Sequence, residues 1–371
     1  MIVRDEAAVI ERCLASVRPY IDRWVIVDTG SVDDTPQRIE TALAGLPGQL
    51  HHRPWRNFGH NRTEALQLAQ PQADYLLFID ADETLGAVPG AAWPGLDGPA
   101  YSLEARYGAL SYDRCSLVST VLPWRWEGVL HEYLNAGQPV AQPRVPGFWI
   151  DVTPEGARSR DPKKFEKDAA VLAAALQDEP HNSRYVFYLA QSYRDCGQWA
   201  LARQYYAQRS TMGGWDEEVW YAAYEVARLG ERLGEDPAQV QGAYLRAYEL
   251  RPQRAESLTA LATYCRGRSE WHRAYLFASA AAALPLPADR LFVDLSVYQW
   301  RAREELALAA FYTGRQEEAA VLWQELLESP ALPPGEHERI GRNLGFVPAA
   351  ALHSAQGALH CTALQAFAGT K

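Results

Sequence analysis

Two aspartates one residue apart, Asp80-Ala81-Asp82, follow directly on the apolar run Tyr75-Leu76-Leu77-Phe78-Ile79. At the end of a buried strand, alternate side chains could bring both carboxylates to one divalent cation bound to a diphosphate. Magnesium or manganese there would neutralise the diphosphate and make it a leaving group. The alternative is an acidic turn in which Asp80 caps the next segment. A second acidic loop, Asp28-Thr29-Gly30-Ser31-Val32-Asp33-Asp34, follows the run Trp24-Val25-Ile26-Val27 and weighs toward the metal reading. A third stretch, Trp124-Arg125-Trp126-Glu127-Gly128-Val129-Leu130-His131-Glu132, combines aromatic rings with acids. Aromatic faces can stack on sugar rings, and a carboxylate beside them could deprotonate an acceptor hydroxyl. Glu127, Asp113 and Glu104 compete for such a base role, and Trp124 and Trp126 could equally be core aromatics.

These residues need a frame. Val9, Ile10, Cys13, Leu14 and Val17 fall at helical spacing just after Met1-Ile2-Val3, which predicts a strand and then a helix. Trp24–Val27 reads as a buried strand. Thr35 is a plausible N-cap, with Pro36 at the first helical position and Ile39 and Leu43 facing inward. Ala65, Leu66, Leu68 and Ala69 form a short apolar helical face before the strand Tyr75–Ile79. Alternating strands and helices imply an α/β domain with a mostly parallel sheet, whose ligands bind beyond the carboxyl ends of the strands. After about residue 158 the pattern becomes long amphipathic helices, with Arg158-Ser159-Arg160-Asp161-Pro162 as linker and Asp161 as N-cap candidate. Pro180 and then Tyr185, Val186, Leu189, Ala190, Tyr193, Gly197, Gln198, Ala202 and Tyr206 resemble a tetratricopeptide repeat, a unit of about 34 residues built from paired helices. Further copies end at Tyr244, Ala247 and Pro252, contain Trp271, Ala274 and Ala281, and contain Leu306, Gly314, Ala319 and Trp323. An irregular bundle is the alternative, but stacked copies bury faces that one copy cannot. The expected domains are therefore 1–157, 158–345 and an Ala-rich tail, 346–371, whose His353, His360 and Cys361 carry no evident chemistry.

The N-terminal half resembles the family 2 glycosyltransferases of GT-A fold, in the branch with a C-terminal tetratricopeptide domain. The matching pieces are Met1-Ile2-Val3-Arg4-Asp5-Glu6, Val25-Ile26-Val27-Asp28-Thr29-Gly30-Ser31-Val32-Asp33-Asp34-Thr35, Trp55-Arg56-Asn57-Phe58-Gly59 with Asn61-Arg62, and Phe78-Ile79-Asp80-Ala81-Asp82-Glu83. They occur in family order over roughly residues 1–135. The resemblance implies that Asp28 reads the nucleobase or ribose, with Ser31 in the same loop. It implies that Arg62 lies near base or phosphates, that Asp80 addresses the ribose, and that Asp82 addresses manganese or magnesium. It suggests His131 as a further metal ligand or phosphate contact and Glu132 as general base. The side chains agree in type: a carboxylate accepts from a uracil N–H or ribose hydroxyls, and arginine offers a fork for phosphate oxygens. A turn whose Asp28 and Ser31 side chains cap the following helix, and an Arg62 ion pair near Glu64, are the competing readings. Family members carry several residues before the Met-Ile-Val segment, so a shortened first strand is expected here.

The 371 residues suit two domains at roughly 150 residues each. With 48% hydrophobic and 22% charged residues, the chain has the balance of a folded globular protein. A formal net charge of −10 argues against nucleic acid as the main partner and requires a metal or local arginines for an anionic ligand. Five cysteines without C-x-x-C spacing predict neither zinc nor disulfides. The absence of a bilayer-length apolar run predicts a cytoplasmic location, with lipid-linked acceptors met peripherally at the inner membrane face. The expected activity is a metal-dependent, inverting transfer from a nucleotide-sugar donor, uridine-linked as the resemblance implies, to a glycan, peptide or lipid-linked acceptor, with a protein partner for the repeats. The rivals are an inactive scaffold or adaptor, and a nucleotidyltransferase. The latter lacks support because Arg4-Asp5-Glu6 is no phosphate cradle.

Overall fold

The computed structural model describes residues 1–108 and 110–352 and divides into two compact units, Met1–Tyr205 with Arg290–Val293, and Tyr206–Asp289 with the chain from Asp294 on. The tail histidines and Cys361 lie outside the described residues.

The first unit is α/β. Strand β1 (Ile2–Val3) pairs parallel with β2 (Trp24–Asp28), which pairs parallel with β3 (Gly48–His52). Helices α1 (Ile10–Val17), α2 (Thr35–Ala42) and α3 (Phe58–Ala69) follow these strands in turn. Ile10, Cys13, Leu14 and Val17 are all buried, as their spacing requires. Ile10 and Leu14 join Ile26, Ile39 and Leu43 in one core cluster, while Cys13 and Val17 join Leu85, Leu103, Leu117 and Ile150 in another. Thus α1 serves two cores. The second core belongs to a mixed sheet. In it β4 (Tyr75–Leu77) runs antiparallel to β7 (Leu110–Ser119), β7 antiparallel to β6 (Ala100–Tyr107), β6 parallel to β10 (Arg144–Val152), and β10 antiparallel to β5 (Glu83–Ala87). A short ribbon, β8 (Arg125–Glu127) with β9 (Tyr133–Asn135), stands apart. The parallel part of the architecture is therefore β1–β3 and the β6–β10 pair, while β4–β7, β6–β7, β5–β10 and β8–β9 are antiparallel.

Three local expectations shift. Asp34, not Thr35, precedes α2; Thr35 is its first residue and its hydroxyl accepts from the Glu6 N–H at 2.9 Å. Asp161 precedes α4 (Lys164–Asp178) by a turn, where it accepts from the Lys163 N–H at 2.9 Å, and Lys163 takes the cap position. The run Tyr75–Ile79 is a strand only to Leu77, because the chain turns at Asp80, where the Glu83 N–H donates to the Asp80 carbonyl at 3.1 Å.

After α4 come α5 (Ser183–Asp195), α6 (Trp199–Arg209), α7 (Asp216–Arg232), α8 (Pro237–Leu250), α9 (Ala255–Gly267), α10 (Trp271–Ala282), α11 (Ala302–Tyr312), α12 (Gln316–Glu328) and α13 (Pro334–Gly345). A π-helical turn, Val297–Arg301, leads into α11. The pairs α5–α6, α7–α8, α9–α10 and α11–α12 share one turn. In each, an N–H reaches back five residues: Gln198 to Tyr193 at 2.8 Å, Glu235 to Gly230 at 3.0 Å, Glu270 to Cys265 at 2.9 Å and Arg315 to Ala310 at 2.9 Å. The residue before each donor has positive φ: Gly197 79°, Gly234 71°, Ser269 59° and Gly314 84°. This is the left-handed helix stop that glycine favours. Tyr185, Leu189, Ala202, Tyr206, Tyr244, Ala247, Ala274, Ala281, Leu306, Ala319 and Trp323 are all buried. The helices from α5 on are tetratricopeptide-like.

The last long strand ends at Val152 and α4 begins at Lys164, on either side of the expected boundary at 157/158, and a two-residue strand, Val293–Asp294, follows later. The compact units divide elsewhere, because Leu130 shares a core cluster with Ala169 and Leu172 of α4 and Tyr185 and Leu189 of α5.

Candidate functional site

The carboxyl ends of β2 and β3 place Asp28 and His52 side by side in register. Asp28 is 3% exposed, and its carboxylate accepts from the Gly30 N–H at 3.3 Å and the Ser31 N–H at 3.1 Å. His52 Nδ1 lies 3.2 Å from its Oδ2. Asp28 therefore closes its own turn, with Gly30 at φ 108°. The Ser31 hydroxyl accepts from the Asp5 N–H at 2.9 Å, and the Asp5 carboxylate accepts from the Val32 N–H at 2.8 Å. Asp33 accepts from the Ala7 N–H at 3.2 Å. These bonds stitch the loops after β1 and β2 into one rim. Neither Asp28 nor Ser31 caps α2, whose N-cap is Asp34, and each keeps hydrogen-bonding capacity beyond the loop bonds.

Arg62 turns inward from α3. Its Nη2 donates to Asp80 Oδ1 at 2.7 Å and its Nε forms an ion pair with Glu132; its side chain is 15% exposed and that of Glu132 8%. Its guanidinium carbon lies 5.1 Å from the centre of the Trp126 ring. Burial opposes the charge on both Arg62 and Asp80, yet the ion pairing wins. Arg62 is held more basic than usual, and Asp80 is held below the usual carboxylate range by Arg62 and Arg114. Glu64 pairs instead with Arg53 at 2.9 Å, so Arg62 makes no surface pair with it. Helix α3 is fixed for this task. Asn57 caps it by accepting from the His60 N–H at 2.8 Å, and the Trp126 N–H donates to Thr63 Oγ1 at 3.0 Å. A side chain at Gly59 would meet the Gly128 carbonyl at 2.8 Å, so only glycine lets helix and loop approach.

Asp80 and Asp82 lie beyond the end of β4, in the turn that the Glu83 N–H closes on the Asp80 carbonyl, so strand alternation does not set their mutual direction. Asp82 Oδ2 accepts from the Gly156 N–H at 3.3 Å, and its carboxyl is raised by burial and by the charges of Asp80 and Glu83. Glu6 Oε2 accepts from the Ala157 N–H at 3.0 Å, and burial, with the Asp82 and Asp33 charges, pushes its carboxyl up to about 7. Such mutually repelling carboxylates fit a cation, whose charge would relieve them. Among the described residues no three His, Cys, Asp or Glu side chains converge as a complete protein cage.

The His131 ring stacks on Tyr188 at 3.9 Å. Desolvation of the ring and the nearby Arg158, Arg184 and Lys164 push its pKa down. A neutral imidazole can still ligate a metal, while the cationic neighbours favour a phosphate beside it. Glu127 is held below the usual carboxylate range by bonds from Asn135, Arg125 and Tyr133, which weakens it as a base. Asp113 pairs with Arg144 at 2.6 Å, and Glu104 with Arg106 at 2.7 Å. Trp124 is core, 5% exposed, with its indole N–H donating to the Ser119 carbonyl at 2.9 Å. Trp126 packs edge-on against Phe78 at 5.2 Å, beneath Arg62.

Sequence reasoning gave no role to Glu6, His52, Glu83 or Arg114. The available signal was the charged pair Asp113-Arg114 within Leu110–Ser119, a stretch otherwise without charge.

Residues 1–86 match the family model described as glycosyl transferase family 2. A TPR repeat-containing protein of Synechococcus elongatus is 29% identical over 262 residues, 65% of this chain and 63% of that protein. An uncharacterized glycosyltransferase of Rickettsia felis is 34% identical over 85 residues, 23% of this chain and 28% of that protein. The alignments thus span less than two thirds of either relative. Among solved structures, MamA matches with a TM-score of 0.37 and 18% identity, over 46% of this chain and 91% of that one. YrrB, described as a TPR protein with an unusual peptide-binding site, matches with a TM-score of 0.37 and 13% identity, over 49% of this chain and 85% of that one. The first 86 residues are thus similar to the family 2 glycosyl transferases, and tetratricopeptide-like helices follow further along the chain. No helix among the described residues is long and apolar enough to cross a membrane.

Proposed function

We propose that this chain transfers a sugar from a nucleotide-activated donor, uridine-linked, to an acceptor nucleophile with inversion. The observation that carries the reading is the Asp80–Arg62–Glu132 network, buried at the carboxyl side of a domain whose first 86 residues match family 2 glycosyltransferases. Asp28 and Ser31 would meet the nucleoside, and Asp80 the ribose. Asp82, with Glu6 beside it, would hold manganese or magnesium, which supplies charge neutralisation for the departing diphosphate. Arg62 would take phosphate oxygens in its fork. In doing so it would loosen its hold on Glu132, whose freed carboxylate would accept the acceptor proton. The cationic neighbours of His131 would favour a phosphate beside it. The repeats would receive the acceptor or a protein partner. A peripheral encounter with lipid-linked acceptors is compatible with this reading.

The test is thermal stability of the full chain with uridine diphosphate, with manganese and with chelator. Stabilisation that needs both nucleotide and manganese supports the donor site. No shift with any nucleoside diphosphate would refute it and would turn attention to the repeats as a scaffold.

A further inference from the structure

Arg114 reaches from the middle of β7 and donates to Glu83 twice, Nη1 to Oε1 at 2.7 Å and Nη2 to Oε2 at 2.6 Å. Glu83 is buried, and the same Oε2 accepts from the Asp80 N–H at 3.0 Å. The Glu83 N–H in turn donates to the Asp80 carbonyl at 3.1 Å, so backbone and side chain of Glu83 close the Asp80–Glu83 turn from both sides. The β4–β7 ladder ends with Leu77 opposite Leu117, and the Phe78 N–H still donates to the Ser116 carbonyl at 2.8 Å, so the chain leading to Asp80 leaves β4 beside the β7 segment that carries Arg114. Glu83 is itself pinned from behind, because it opens β5 opposite Val152 of β10.

We propose that Arg114 is a positioning residue that, through Glu83, fixes the turn carrying Asp80 and Asp82 in the geometry needed to receive the diphosphate and its cation. The proposal rests on the donor-site reading above. Without the fork, Glu83 has no fixed carboxylate to offer the Asp80 N–H, and the turn loses the bond that sets the angle between the two aspartates. Bidentate geometry makes arginine necessary here, since a lysine ammonium cannot hold both oxygens in one plane. A buried pair of this kind can be exchanged for apolar residues of similar volume with little loss of stability, whereas breaking one partner alone is costly. That asymmetry separates positioning from folding.

The experiment compares the full chain with the double variant Glu83→Met/Arg114→Met and with Arg114→Lys. Three quantities are read: thermal midpoint, hydrogen exchange at the Asp80 amide, and affinity for uridine diphosphate with manganese. The double variant should keep its midpoint within a few degrees and lose Asp80 protection. Its affinity should fall by about 10- to 100-fold, as for residues that orient metal ligands. Arg114→Lys should fold normally with a smaller loss of both, and it decides the matter if the double variant does not fold. Native Asp80 protection and native affinity in the folded variants would overturn the proposal. If the unaltered chain binds no nucleotide, the donor-site reading fails, and unchanged exchange at Asp80 would still refute the positioning role by itself.

Discussion

Glu132 is 8% exposed and held by Arg62, a setting in which a carboxylate is useful as a base only if its partner has somewhere else to go. A diphosphate offers that destination. Glu132→Gln should therefore lower kcat by about 10²- to 10⁴-fold, the range for loss of a general base, while affinity for uridine diphosphate stays near its native value. Steady-state kinetics with parallel calorimetry checks this. A matching loss of affinity would mean that Glu132 only holds Arg62. Asp82→Ala should abolish turnover and the manganese-dependent part of nucleotide binding, leaving binding in chelator as it was; undiminished turnover would remove the metal assignment. Glu6 supplies a pH signature. Its folded carboxyl, pushed up to about 7 by burial and neighbouring carboxylates, lies above the unfolded value of 4.5. Stability from this group is complete below pH 4.5 and is lost as pH rises through about 7. Glu6→Gln, which keeps an oxygen for the Ala157 N–H, should raise the melting temperature at pH 8 in chelator and leave it unchanged near pH 4. An equal shift at both values would show that Glu6 does not carry the charge strain.

At the scale of elements, what the sequence made legible depended on whether the pattern was local. The burial of Ile10, Cys13, Leu14 and Val17 follows from spacing alone, and so do the buried repeat positions from Tyr185 to Trp323. Gly197 and Gly314 were readable as helix stops because glycine announces a positive φ. Ser269 occupies the same place at φ 59° without announcing it. Replacing it tests the shared turn: Ser269→Gly removes the strain on a side chain in the left-handed region and should stabilise the chain by about 0.5–1 kcal/mol in chemical denaturation. A destabilisation would mean that this turn is held by something other than the repeated backbone geometry. The candidate site was legible in its residue types and not in its pairings. Alternation would bring Asp80 and Asp82 to one face, but it holds only within a strand, and β4 ends at Leu77, so their mutual direction is set by the turn instead. Whether Arg62 meets Glu132 or Glu64, and whether Arg114 meets anything, depends on how α3 docks on β8 and how β7 pairs with β4. Those are contacts between residues tens of positions apart, and no local window contains them.

At the scale of the whole molecule, the charge balance and the two units give the donor-site reading a consequence that no single residue does. A chain with net charge −10 attracts no diphosphate by its overall field, so under the donor-site reading binding would come from local groups: Arg62, the cationic neighbours of His131, and a cation held at Asp82. Every one of these groups belongs to the unit Met1–Tyr205. Nucleotide with manganese at about 100 times its dissociation constant should then stabilise that unit by about 2.7 kcal/mol. Hydrogen exchange can localise the effect. Amides of residues 1–205 should gain protection together, whereas those from Tyr206 to Asp289 should exchange at their unliganded rates if the two units open separately. Chelator should erase the gain, because an acidic protein without the cation holds the diphosphate by arginine alone. Protection that rises instead in residues 206–289, or that survives chelation at full size, would place the nucleotide outside the proposed site and remove the role assigned to Asp82.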